Sequence, residues 1–75
     1  MAKFNGHKNW NHWNVSLWIN NDEGLYRMAK LMARSYSRGI AAKKMLEELN
    51  ENGITHTPDG APYSVSSIKA AMKGM

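Results

Sequence analysis

The stretch NWNHWNVSLWINN, residues 9–21, holds all three tryptophans of the chain and interleaves them with asparagines. Whether these rings make an exposed binding surface or anchor a core decides how the remaining residues must fold. The chain has 75 residues and no cysteine. It therefore reads as a single domain, residues 1–75, that buries only roughly 60–65% of the surface its unfolded form exposes. Neither disulfides nor thiolate metal sites can reinforce so thin a core, and the composition suits a reducing cytosol. Large side chains must compensate, since each aromatic can bury about 150–250 Å². Trp10, Trp13, Trp18, Leu17, Leu25, Met28, Met32, Leu46 and Leu49 are the expected core, with the tryptophans as its anchor. Asn11, Asn14 and Asn20 then either face water or satisfy buried backbone groups.

Helical periodicity extends outward from this stretch. Asn9 is the expected N-cap of a first helix running to about Ile19. Trp10, Trp13 or Asn14, and Leu17 share one of its faces, and Val15, Trp18 and Ile19 share another. Asn21 or Asp22 caps a second helix, about Glu23 to Arg38, in which Leu25, Met28, Ala29, Met32 and Tyr36 repeat on one side. At ~100° per residue, Arg27, Lys30, Arg34 and Arg38 fall on the opposite side, which reads as four positive charges and no acid. Gly39 is the expected C-terminal cap of that helix. A third helix, about Ile40 to Glu51, should bury Ala42, Met45, Leu46 and Leu49 and stop at Asn52 and Gly53. Pro58-Asp59-Gly60 is a turn signal whose flanks could form a tiny β-hairpin. Ser64 caps a last helix with Val65, Ile68, Met72 and Met75 on one face, leaving Ser66, Ser67, Lys69, Ala70 and Lys73 outward. The fold class is all-α, a small bundle of about four short helices.

Two resemblances follow from these residues. GIAAKKMLEELNENGITHTPDGAPYSVSSIKAAMKGM, residues 39–75, resembles the DNA-binding region of large serine recombinases. The matching positions are Leu49, Asn50, Gly53, Ile54, Thr57, Pro58, Gly60, Tyr63 (where that family has Trp), Ser64, Ile68 and Met72. The resemblance implies a helix-turn-helix variant whose final helix enters a groove, and it brings no catalytic serine domain with it. Residues 4–30, FNGHKNWNHWNVSLWINNDEGLYRMAK, are similar to small uncharacterised proteins of tailed bacteriophages, which implies a phage origin and the cytoplasm of a bacterial host.

The chemistry-bearing residues form no enzyme-like set. His7, His12 and His56 come without cysteine or an HxxxH-type pair, so a zinc site is not expected. Ser16, Ser35, Ser37 and Ser64 sit in no nucleophile elbow. Asp22, Glu23, Glu47, Glu48, Glu51 and Asp59 read as capping and surface charges rather than a general acid and base. The six glycines are scattered, not clustered in a phosphate loop. No cofactor is expected. No apolar run approaches the ~20 residues of a membrane span, and MAKFNGHKNW has no hydrophobic signal region.

Binding remains, and the formal charge of +4 with a pI near 9.6 favours a polyanionic or acidic partner. The candidate contacts are Arg27, Lys30, Arg34, Arg38, Ser66, Lys69 and Lys73, with Arg27, Arg34, Lys69 and Lys73 positioning phosphates. The first functional expectation is a phage-type nucleic-acid-binding protein, with DNA favoured over RNA. The second is an anti-CRISPR-like inhibitor that occupies a protein surface of a host defence complex. A homodimer using Met1, Met72 and Met75 is a further expectation.

Overall fold

A computed structural model describes residues 7–75 of the chain. Among them are four helices, α1 (Trp10–Asn21), α2 (Glu23–Ser35), α3 (Arg38–Glu51) and α4 (Val65–Ala71). The protein is a small all-α bundle. Helix α1 packs on α2 and α4, and α3 packs on the same two, so that α2 and α4 stand diagonally across the bundle without touching. No helix of the described residues is long and apolar enough to cross a membrane.

The helix ends follow from local side-chain chemistry. The Asn9 carboxamide oxygen accepts the His12 N–H at 2.9 Å and starts α1. Asp22 serves both sides of the first corner. Its N–H donates to the Trp18 carbonyl at 2.9 Å, closing α1, and its carboxylate accepts the Leu25 N–H at 3.0 Å, capping α2. Helix α3 ends at a Gly53 with φ of 76°, and the Ile54 N–H turns back to the Leu49 carbonyl at 2.8 Å. That left-handed residue and six-to-one bond make a Schellman motif, which is why a glycine stands there. Ser64 and Ser67 form a reciprocal capping box at the start of α4, each side chain accepting the other's backbone N–H.

The structure corrects the expected second helix. It stops at Ser35 rather than continuing to Arg38, and Tyr36 and Ser37 are extended. Serines stand on both sides of Tyr36, and their modest helix propensity makes a break there inexpensive. Gly39 is consequently not a C-cap but lies inside α3, where it has no positive φ and Ala41 and Ala42 behind it reach the core.

The core is small and contains no tryptophan. Val15, Ile19, Ala29, Ala41, Ala42, Met45, Leu49, Ala61, Tyr63, Ile68, Ala71 and Met72 are buried, and Leu25, Met28, Met32 and Leu46 pack against them half-covered. The expected tryptophan anchor is overturned: Trp10 is 39% exposed, and Trp13 and Trp18 are half-buried. The reason is geometric. The helices fill the centre with Ala29, Ala41, Ala42 and Ala71 and with the larger Ile19, Met45, Leu49, Ile68 and Met72, and the indoles stand at its edge. Met72 and Ser67 also sit otherwise than expected. Met72 is buried and unavailable to a dimer interface, while Met75 half-packs on the core and Met1 lies outside the described residues. Ser67, expected outward, is fully buried by its capping role.

What α1 does bury besides Val15 and Ile19 is Asn14, 1% exposed. Its amide nitrogen donates to the Asp59 carboxylate at 2.8 Å, and the Trp18 indole N–H donates to the same oxygen at 2.9 Å. On its other side the Asn14 oxygen accepts the Thr57 hydroxyl, which in turn accepts the Ala61 N–H at 3.0 Å. The loop between α3 and α4 is thus clamped to the first helix through its TPDG turn. Within that loop the expected hairpin is reduced to a single bridge between His56 and Pro62. Pro62 has no N–H to extend a ladder. No buried side-chain nitrogen or oxygen of the described residues is left without a partner.

Removing Asn14 would strand the Thr57 hydroxyl and half of the Asp59 pairing. Asn14→Ala is expected to lower the unfolding free energy by about 2–4 kcal/mol in urea titrations, whereas the exposed Asn11→Ala stays within about 0.5 kcal/mol. The clamp also has a pH signature. The hydrogen bond from Asn14, and then that from Trp18, hold the Asp59 carboxyl below the ordinary carboxylate range. Its contribution is full above the unfolded value near pH ~4 and is lost as the pH falls through the lower folded value. Thermal melts on an acid series should therefore move to lower temperature at low pH, and Asp59→Asn should reduce that pH dependence while lowering stability at neutral pH.

Candidate nucleic-acid interface

The candidate cations separate onto two faces. Ser66 and Lys69 lie on α4 at i and i+3, and Lys73 follows in the turn just beyond its C-cap; all three are exposed. Helix α1 packs beside them, and the Ser66 hydroxyl meets His12 Nε2 at 2.9 Å across the helix pair. Below this contact lies an open groove of about 540 Å³ whose polar walls are His7, Lys8, His12, Ser16, Asn20 and Lys73. The Asn20 amide is held in place by donating to the Ser16 carbonyl at 2.8 Å. No Asp or Glu lines the groove. The chain's acids stand elsewhere: Asp22 and Glu23 at the α1–α2 corner, Glu47, Glu48 and Glu51 on α3, and Asp59 in the clamped turn.

The electrostatics of the groove register on its histidine. Burial first, and then the positive charge of Lys8 and His7, lower the His12 pKa from its ordinary value. The ring hydrogen-bonds Ser66, while the lysines supply fixed positive charge. An anion entering the groove would reverse the charge effect, because it would favour the protonated ring.

The second face is α2. Arg27, Lys30 and Arg34 do lie together on its outer side, as the periodicity predicts. That side is not free of acid, however. Glu23 sits one turn before Arg27 and pairs with it, both side chains largely exposed. Lys30 lies over the Tyr26 ring at 5.6 Å. Arg38 is not part of this stripe, because the helix break moves it to the first turn of α3. An arginine at that end faces the positive pole of its own helix, which disfavours it as a fixed contact.

The sequence expectation thus holds Ser66, Lys69 and Lys73 together, holds Arg27, Lys30 and Arg34 together, and wrongly joins Arg38 to the latter. It misses Lys8, His7, His12 and Asn20. The run HKNWNH carried the signal in its cations, yet those cations become a site only because α4 packs on α1, a contact no local pattern records. Among the described residues no three His, Cys, Asp or Glu side chains gather closely enough to hold an ion.

A family model matches residues 1–75, the whole chain. The chain belongs to DUF7249, a family of unknown function. No curated protein and no solved structure matches it.

The electropositive groove can be read directly. A proton NMR titration of His12 should give a midpoint below the ordinary histidine value of about 6.5. Lys8→Ala should move that midpoint upward only part of the way, since burial is the larger cause. An unmoved midpoint in the variant would remove the charge from this account.

Proposed function

We propose that this DUF7249 chain is a non-enzymatic nucleic-acid-binding module that places the outer face of α4 and the adjoining groove against a phosphate backbone. The observation that carries the reading is the acid-free groove between α1 and α4, with Lys8 and Lys73 on its walls and Lys69 beside it. Phosphates need cations and hydrogen-bond donors without competing carboxylates, and this surface offers both. Lys8, Lys69 and Lys73 neutralise charge, and Ser66, Asn20 and protonated His12 can add hydrogen bonds. The resemblance of residues 39–75 to the DNA-binding region of large serine recombinases supports duplex DNA as the substrate, since it covers α3, the loop and α4. Residues 52–64 connect the two helices here, longer than the three- or four-residue turn of a compact helix-turn-helix. Helix α4 would therefore contact DNA as an element held by the Asn14 clamp rather than by a tight turn. The alternative of a phage-encoded inhibitor of a host defence complex, acting through protein contact, draws its support from α2, whose outer face is partly apolar.

Fluorescence anisotropy with labelled duplex and single-stranded DNA tests the reading. With three phosphate contacts, affinity for duplex should fall roughly 40-fold between about 50 and 200 mM salt, from a slope near −0.9 per contact. The Lys69→Glu, Lys73→Glu double variant should abolish binding, and the Arg27→Glu, Arg34→Glu pair should leave most of it. Absence of binding at both salts, or dependence on the α2 pair instead, would sink the proposal.

A further inference from the structure

We infer that the outer face of α2 is a separate docking surface for an acidic protein segment that carries one apolar anchor residue. Leu31 is 66% exposed, more than any other large hydrophobic side chain of the described residues. It borders a shallow groove of about 430 Å³ whose other walls are Tyr26, Arg27, Lys30 and Arg34, with Glu23 at one end. An isolated exposed leucine would carry no meaning. Here it stands within a concave surface, beside an aromatic ring and three cations, which is the composition of an interface centre with a charged rim.

The charge selects the occupant. Three cations face one carboxylate on this side of α2, and that carboxylate is already paired with Arg27. Arg34 makes no ion pair among the described residues. An incoming segment with two or more Asp or Glu residues would complement the excess positive charge, and a Leu, Ile or Phe side chain would cover Leu31 and the Tyr26 ring edge. Nucleic acid fits less well, because Leu31 would lie against a hydrated phosphate backbone with nothing apolar to meet it. A second copy of this chain also fits less well. Its acidic stretch, Glu47, Glu48 and Glu51 on α3, shares its helix with Lys43 and Lys44, and Leu46 beside it packs against the core. Because α2 and α4 are diagonal, a protein on this face leaves the α1–α4 groove open. The inference does not depend on the nucleic-acid reading.

The test uses the full chain and a displayed library of random peptides about twelve residues long, counter-selected against the Leu31→Asp variant, with enriched peptides then synthesised and titrated by anisotropy. Enrichment of acidic sequences with one large apolar residue is expected. Leu31→Asp and Arg34→Glu should each weaken those peptides by at least about tenfold, as loss of an interface anchor does. Both positions are exposed, so circular dichroism should show an unchanged fold. Lys69→Glu with Lys73→Glu should leave peptide binding intact, which separates this surface from the groove on α4. No enrichment, enrichment of neutral or basic sequences, or peptide binding that survives Leu31→Asp would overturn the inference. So would loss of duplex DNA binding in Leu31→Asp, which would assign the face to nucleic acid, or self-association of the chain that Leu31→Asp abolishes, which would assign it to a second copy.

Discussion

One buried carboxamide organises this molecule. Asn14 sits on α1 with both ends of its side chain engaged, the nitrogen by Asp59 and the oxygen by Thr57. Through these bonds a turn more than forty positions away in sequence is held against the first helix, and α4 follows directly from that turn. A core in which alanine is the commonest residue buries little area per residue, so its apolar packing alone specifies the loop weakly. A hydrogen-bonded amide specifies it strongly, since every alternative placement of the loop leaves a buried polar group unpaired. The cysteine-free chain thus uses a polar clamp where other small domains use a disulfide or a metal.

The tryptophans take their place in the same arrangement. Trp18 contributes an indole N–H to the Asp59 oxygen that Asn14 also uses, and its ring stays half-exposed over the loop. It closes the clamp from outside rather than filling a core from within. The alternation of asparagine with tryptophan in residues 9–21 therefore has a physical sense: Asn9 caps the helix, Asn14 binds the turn, and Trp18 covers the bond.

Much of the helical plan was legible in the sequence because caps and periodicity are local. Asn9, Asp22, Ser64 and Gly53 each mark an end by interactions within a few residues, and each does so in the structure. The failures are non-local. Amphipathic spacing on α1 does not distinguish Trp13 from Asn14 as the inward residue, because the choice depends on what Thr57 and Asp59 bring to it from the far half of the chain. Spacing alone extends α2 too far, because Tyr36 continues the apolar repeat although the helix ends at Ser35. At the candidate interface Lys69 and Lys73 are readable as exposed cations near one end of the chain. Lys8 and His12 are not readable as part of the same surface, since only the packing of α1 on α4 makes them neighbours of those lysines.

The distribution of charge then follows from the same packing. Asp22, Glu23 and Asp59 are drawn into caps, an ion pair and the clamp, so they neutralise structural donors and not the surface of α4. The net charge of +4 consequently understates how positive the α1–α4 groove is. Lowered proton affinity at His12 is the local expression of that field, after burial. On α2 the cations are instead mixed with Leu31, Tyr26 and Glu23, a pattern that rewards a partner able to offer both carboxylates and an apolar side chain. The diagonal separation of the two helices means that neither surface has to be vacated for the other to be filled, so a bundle with so small a core can present two chemically different faces at once.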